Sequence, residues 1–125
     1  MKRVTFAFVG LSLTFIATST LQAQSLPAGV TTAMVEEGQQ VYIGAGICAA
    51  CHGPDASGLI GPDLTDAEWL IGDGEYETLV AQILEGVSAA EATNPLGAIM
   101  PPKGGAAITD AQVRSVAAYI WTLSH

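Results

Sequence analysis

Positive charge is scarce in this sequence: four Lys and Arg stand against twelve Asp and Glu, a formal net charge of −8. Two of the four, Lys2 and Arg3, sit at the extreme N-terminus. Residues 24–125 keep only Lys103 and Arg114 against all twelve acids, a net charge of −10. That balance excludes nucleic-acid backbones and anionic membranes as electrostatic partners. It fits either steering toward a basic partner surface or simple solubility. Phenylalanine is missing beyond Phe15, and Ala and Gly crowd out larger apolar residues. A domain of about 100 residues is already marginal in the surface it can bury. Something bulky and apolar could supply the missing core.

Long apolar runs are also lacking. The one candidate, Val4–Ala17, is interrupted by Thr5, Ser12 and Thr14 and is short of the ~20 residues that a spanning helix needs. It follows the positive Met1-Lys2-Arg3 and precedes the small, polar Thr18–Gln24. This is the order of a secretory signal, with cleavage expected after Ala23, although Leu21 is bulkier than is usual there. The sequence therefore predicts a signal peptide over residues 1–23, a leader over 24–34 and one domain over 35–125. The mature form is expected in the periplasm without a membrane span.

Within the domain the periodicity is helical, and no segment alternates as a strand does. Helices are predicted over Ala33–Gly44, Glu75–Gly86 and Asp110–Leu123, the last opened by the capping box Thr109-x-x-Gln112. A second box, Thr65-x-x-Glu68, predicts a short helix through Trp69 and Leu70. Gly53–Leu64 and Val87–Ala107 carry the Gly and Pro residues of irregular chain. The fold class is all-α.

Cysteine and histidine are limited to two each, and three of these four residues stand together as Cys48-Ala-Ala-Cys51-His52. Cys-x-x-Cys-His is the attachment signature of c-type haem. Two thiols at this spacing can add to the two vinyl groups along one haem edge, and the following imidazole can coordinate the iron. Three other chemistries use such cysteines. A disulfide here closes a very small loop and adds little stability. A thiol–disulfide oxidoreductase needs a βαβ pattern that the sequence does not have. Zinc needs four ligands, and the only others of the usual type are His52 and His125, with His52 too close to Cys51 for a comfortable chelate.

Four segments in order make the chain resemble the class I cytochromes c over nearly the whole domain. They are Cys48-Ala-Ala-Cys51-His52 after a first helix, Gly61-Pro62-Asp63-Leu64, Ile99-Met100-Pro101-Pro102, and the ending Val116-Ala-Ala-Tyr119-Ile-Trp121. The resemblance implies three to four helices wrapped around one haem c, held covalently through Cys48 and Cys51. It implies His52 as proximal iron ligand, with its ring oriented by the Pro62 carbonyl, and Met100 as distal ligand. Met100 as a plain core methionine and His125 as a rival ligand are the alternatives. Asp63 replaces the family's usual Asn, which leaves the role of that side chain open. Trp69 either donates to a haem propionate or packs beside the chain. The resemblance also implies a close crossing of the first and last helices, with Gly38 and Tyr42 against Val116 and Tyr119.

With both axial positions filled, such a protein carries electrons and is not an enzyme. Its partners would be redox proteins with basic docking surfaces, a dehydrogenase or an oxidase, and it could be a subunit of a larger redox complex. A five-coordinate catalytic or gas-sensing haem protein is the rival reading. That chemistry would call on His125 or Arg114 as a distal group.

Overall fold

The computed structural model describes residues 25–125, so the signal reading of residues 1–23 lies outside the described residues. Four α-helices follow one another: α1 (Thr32–Ile43), α2 (Ala49–His52), α3 (Tyr76–Glu85) and α4 (Asp110–Ser124), with a 3₁₀ turn at Pro102–Gly105 before α4. No strand occurs among the described residues, and Val87 and Met100 form an isolated antiparallel bridge.

Each long helix is started and stopped by local chemistry. Thr31 caps α1, its hydroxyl accepting from the Met34 N–H at 3.2 Å, and Gly44 closes it by donating to the Gln40 carbonyl. This start lies within the segment read as leader, and Leu26 and Val30 pack against the core ahead of it. In α4 the expected capping box is complete: the Gln112 N–H donates to Thr109 Oγ1 at 3.2 Å, and the Thr109 N–H donates to Gln112 Oε1 at 3.0 Å. Two otherwise orphaned helix N–H groups are satisfied in this way. Glu75 opens α3 in extended conformation, and Gly86 ends it at φ 76°.

The second predicted capping box does not form. Thr65 gives both its N–H (2.7 Å) and its hydroxyl (2.6 Å) to the Asp63 carboxylate, and Glu68 gives its N–H to Asp66 at 2.9 Å. These Asx turns compete with helix for the same backbone groups, so residues 65–70 are irregular.

The core sits where α1 and α4 cross, with α3 packed along α4. Tyr42, Val113 and Val116 are fully buried there. Val41, Leu79, Val80, Ile83, Ile120 and Trp121 extend the same cluster, which follows the apolar stripes of the three helices. The Tyr42 and Tyr119 rings meet edge to face at 5.5 Å, a favoured aromatic geometry. Gly38 faces the Ser115 carbonyl and Tyr119 Cβ, so the close approach falls one residue before the expected Val116. Ser115 is buried and donates its hydroxyl to Glu37 across the crossing at 2.7 Å.

Candidate functional site

Between α3, the 3₁₀ turn and the chain that follows α2 lies a cleft of about 1210 Å³, counted out to its open mouth. All six sequence-predicted site residues, Cys48, Cys51, His52, Pro62, Trp69 and Met100, line it. Neither Arg114 nor His125 does. Arg114 reaches Glu77 at 3.2 Å on the surface. His125 stacks on Trp121 at 4.5 Å, its Nδ1 3.1 Å from the Trp121 carbonyl.

The haem motif is presented by a single helical turn, which is too short to register as periodicity in the sequence. The N–H groups of Cys51 and His52 both donate to the Cys48 carbonyl, at 3.1 and 3.0 Å. The chain then doubles back so that Ile60 and Gly61 donate to the Cys51 carbonyl at 3.0 and 2.9 Å. Tyr42 fastens this turn to α1, its hydroxyl donating to the Gly53 carbonyl at 2.8 Å. Burial, with the nearby Cys48 thiol as a lesser cause, raises the Tyr42 pKa far above that of a free phenol. The hydroxyl therefore stays a donor. Burial also raises the Cys48 thiol above its ordinary range.

His52 Nδ1 lies 2.9 Å from the Pro62 carbonyl oxygen. That oxygen can only accept, so Nδ1 carries a proton, which leaves Nε2 as the nitrogen with the lone pair in the neutral ring. Proline suits this place because its fixed φ makes the carbonyl a rigid acceptor, and such an outer partner orients and tunes a ligating imidazole. Gly61 completes the cradle. A Cβ there would stand 2.8 Å from His52 Cε1 and 2.9 Å from Nδ1, so only glycine admits the ring. The side chain of Asp63, left open by the sequence, caps the Thr65 turn. The Thr65 hydroxyl is the main cause of its carboxyl lying below the usual range.

Further along the cleft, Trp69 lies flat over Gly74, where a Cβ would stand 2.5 Å from Cδ1 and Cε2 of the indole. Leu79, Gln82 and Ile83 of α3 form one wall, and Val87 continues it. Neither Gly74 nor this α3 wall stood out as site-forming in the sequence. Gly61 did, but only as part of the Gly-Pro motif. Lys103 also lines the cleft. Its ammonium donates to the Ile108 carbonyl at 3.1 Å and to Asp110 at 2.8 Å.

These residues fit a haem. The cleft is walled mainly by apolar side chains, the two thiols stand one helical turn apart at its edge, and the imidazole is oriented with a free Nε2. A zinc site is not supported: no group of three or more His, Cys, Asp or Glu among the described residues is disposed to hold a metal ion.

Comparison with known proteins agrees with this chemistry. Residues 33–120 match the family described as cytochrome C oxidase, cbb3-type, subunit III. The chain is 38% identical over 112 residues to the cbb3-type cytochrome c oxidase subunit CcoP of Rhodobacter capsulatus, covering 82% of this chain and 33% of that protein. It is 39% identical over 79 residues to subunit FixPc of Rhizobium leguminosarum bv. viciae, covering 62% of this chain and 27% of that one. The chain thus spans about a third or less of the length of these relatives. Among solved structures, cytochrome cL of Methylophaga aminisulfidivorans MPT superposes with a TM-score of 0.55 at 18% identity. The match covers 76% of this chain and 56% of that one, a likeness of fold. The chain belongs to the cbb3-type cytochrome c oxidase subunit III family, as a class I c-type cytochrome whose all-α domain holds one covalent haem c and transfers electrons through it.

Proposed function

We propose that the domain, exported to the periplasm behind a signal peptide at residues 1–23, passes single electrons through a haem ligated by His52 and Met100. Cys48 and Cys51 hold the group, Pro62 fixes the His52 ring, and Trp69, which lines the cleft, donates its indole N–H to a propionate. The observation that carries this reading is the 2.9 Å contact between His52 Nδ1 and the Pro62 carbonyl. It leaves Nε2 as the only basic ring nitrogen, in a cleft that Met100 also lines. Bound haem supplies a one-electron iron couple, whose potential His/Met ligation raises relative to two nitrogen ligands. Around it the chain's apolar side chains exclude water, and the Cys48–His52 turn is tied down at Cys51 and Gly53.

The rival five-coordinate reading called on a distal His or Arg, and the two residues named for that role, Arg114 and His125, lie outside the cleft. The curated relatives are described as oxidase subunits, which favours a fixed place in a larger redox complex over free diffusion. With a net charge of −10 after residue 23, the domain would dock on a basic surface of an oxidase or dehydrogenase, an encounter strengthened at low salt.

Absorption spectra of the matured protein test the ligation. The oxidised form should show the weak far-red charge-transfer band of a methionine–iron bond, and the reduced form a sharp α-band. Met100→Ala should erase the far-red band, let the reduced protein bind carbon monoxide, and lower the midpoint potential by more than about 59 mV, a tenfold change in the one-electron equilibrium. A high-spin oxidised spectrum in the unaltered protein would sink the ligand assignment. Native size-exclusion of a cell extract separates a fixed subunit from a free carrier.

A further inference from the structure

Met100 is held by its backbone. The Val87 N–H donates to the Met100 carbonyl at 2.7 Å, and the Met100 N–H donates to the Val87 carbonyl at 3.0 Å. This closed pair ties the strap that bears Met100 to the end of α3, the helix whose Leu79, Gln82 and Ile83 line the same cleft. Beyond Met100 the strap is stiff: Pro101 and Pro102 fix two φ angles, and the Gly104 N–H returns to the Pro101 carbonyl at 2.8 Å.

The bridge is possible only because residue 86 has no side chain. At Gly86 a Cβ would stand 2.7 Å from the Pro102 nitrogen and 2.8 Å from the Pro101 carbonyl carbon, and closer still to the Met100 oxygen. All three obstacles are backbone and cannot rotate aside. Gly86 also sits at φ 76°, a region that side chains disfavour. Its own N–H closes α3 on the Gln82 carbonyl at 2.7 Å, so the helix end cannot simply retreat.

We infer that Gly86 is a positioning residue for Met100: by letting the end of α3 lie directly against the strap, it sets how far the thioether reaches into the cleft. The inference rests on the reading of Met100 as axial ligand. An iron–thioether bond is weak, so how often it is made depends on how much of the strap's freedom has already been removed. A Cβ at residue 86 pushes the strap away and leaves the bond unmade in part of the population. The covalent attachment at Cys48 and Cys51, on the other side of the sequence, is untouched.

The test uses the matured holoprotein and four variants: Gly86→Ala, Gly86→Asn, Met100→Ala and Val113→Ala. Asparagine tolerates a positive φ but still carries a Cβ, so it isolates the clash and serves where Gly86→Ala does not accumulate. Val113 is fully buried and does not line the cleft, so Val113→Ala reports general loss of stability. Both Gly86 variants should keep covalent haem, lose about half or more of the far-red band, and bind carbon monoxide roughly tenfold more readily when reduced. Val113→Ala should lower the melting temperature with none of these changes. A full band and no carbon monoxide binding in Gly86→Asn, with the band lost in Met100→Ala, overturns the inference and leaves the ligand reading standing. A band that survives in Met100→Ala overturns the ligand reading, and the inference with it.

Discussion

Replacing Cys48 and Cys51 together by alanine should give a chain that retains no haem on a denaturing gel and that does not hold the native fold. The thioethers are the covalent link, and no other cysteine is available to replace them. The loss of fold follows from where the core is. The buried cluster of α1, α3 and α4 supplies one side of the domain, while Ile47, Ile60, Leu70 and Ile99 face the cleft instead. In a domain of this size the burial from protein side chains alone is marginal. A covalently held haem adds its own apolar surface to what the native state buries, and it cannot be diluted away. Far-UV circular dichroism of the double variant should therefore show much less helix than the holoprotein, and the chain should be cleared rapidly in cells. Single variants, keeping one thioether, should mature in low yield. Heat-stable native helicity in the haem-free double variant would show that the protein core is sufficient by itself.

The two capping boxes show how much of this fold could be read beforehand. Both Thr65-x-x-Glu68 and Thr109-x-x-Gln112 satisfy the same pattern. Only the second opens a helix. The difference lies two residues upstream of the threonine. Asp63 takes the N–H and hydroxyl of Thr65, whereas the residue two before Thr109 is Ala107, whose side chain has no acceptor to offer. Asp66 then takes the Glu68 N–H that the box required. A pattern of two residues therefore says less than the competition among their neighbours for the same few donors.

The candidate site divides along similar lines. Residues that act through their own chemistry, such as Cys48, Cys51 and His52, were legible because thiols and imidazoles are so few in this chain. Residues that act by leaving room were legible less often. Gly61, Gly74 and Gly86 read locally as loop or helix end, yet each lies against a side chain or strap that is distant from it in sequence or folded back upon it. Nothing in periodicity or propensity encodes such contacts, because they exist only once the chain has closed. The one-turn helix Ala49–His52 escaped for a simpler reason: four residues cannot display a 3.6-residue period.

Gly38 is the case where the sequence suggested a close crossing and the structure makes the cost of violating it large. A Cβ at residue 38 would stand 2.6 Å from the Ser115 carbonyl carbon and 2.8 Å from Tyr119 Cβ, closer still to the Ser115 oxygen. Two effects oppose each other in Gly38→Ala. Helix propensity favours alanine in α1 by about 1 kcal/mol. Overpacking typically costs about 1–3 kcal/mol and more where neighbours cannot move. Here the obstacle is the backbone of α4, so the helices must separate and the clash wins. Separation loosens the Ser115–Glu37 bond and the Tyr42–Tyr119 contact together. It also shifts Tyr42, whose hydroxyl holds Gly53 next to His52. Gly38→Ala should lower the melting temperature of the holoprotein by about 4–8 °C for each kcal/mol lost at this size. Gly38→Val adds two methyl groups beyond alanine's Cβ and a β-branched penalty in the helix, so it should leave little matured protein. Thermal unfolding followed by circular dichroism, with haem content per chain measured alongside, reads both. An unchanged melting temperature in Gly38→Ala would mean that the two backbones do not meet at Ser115.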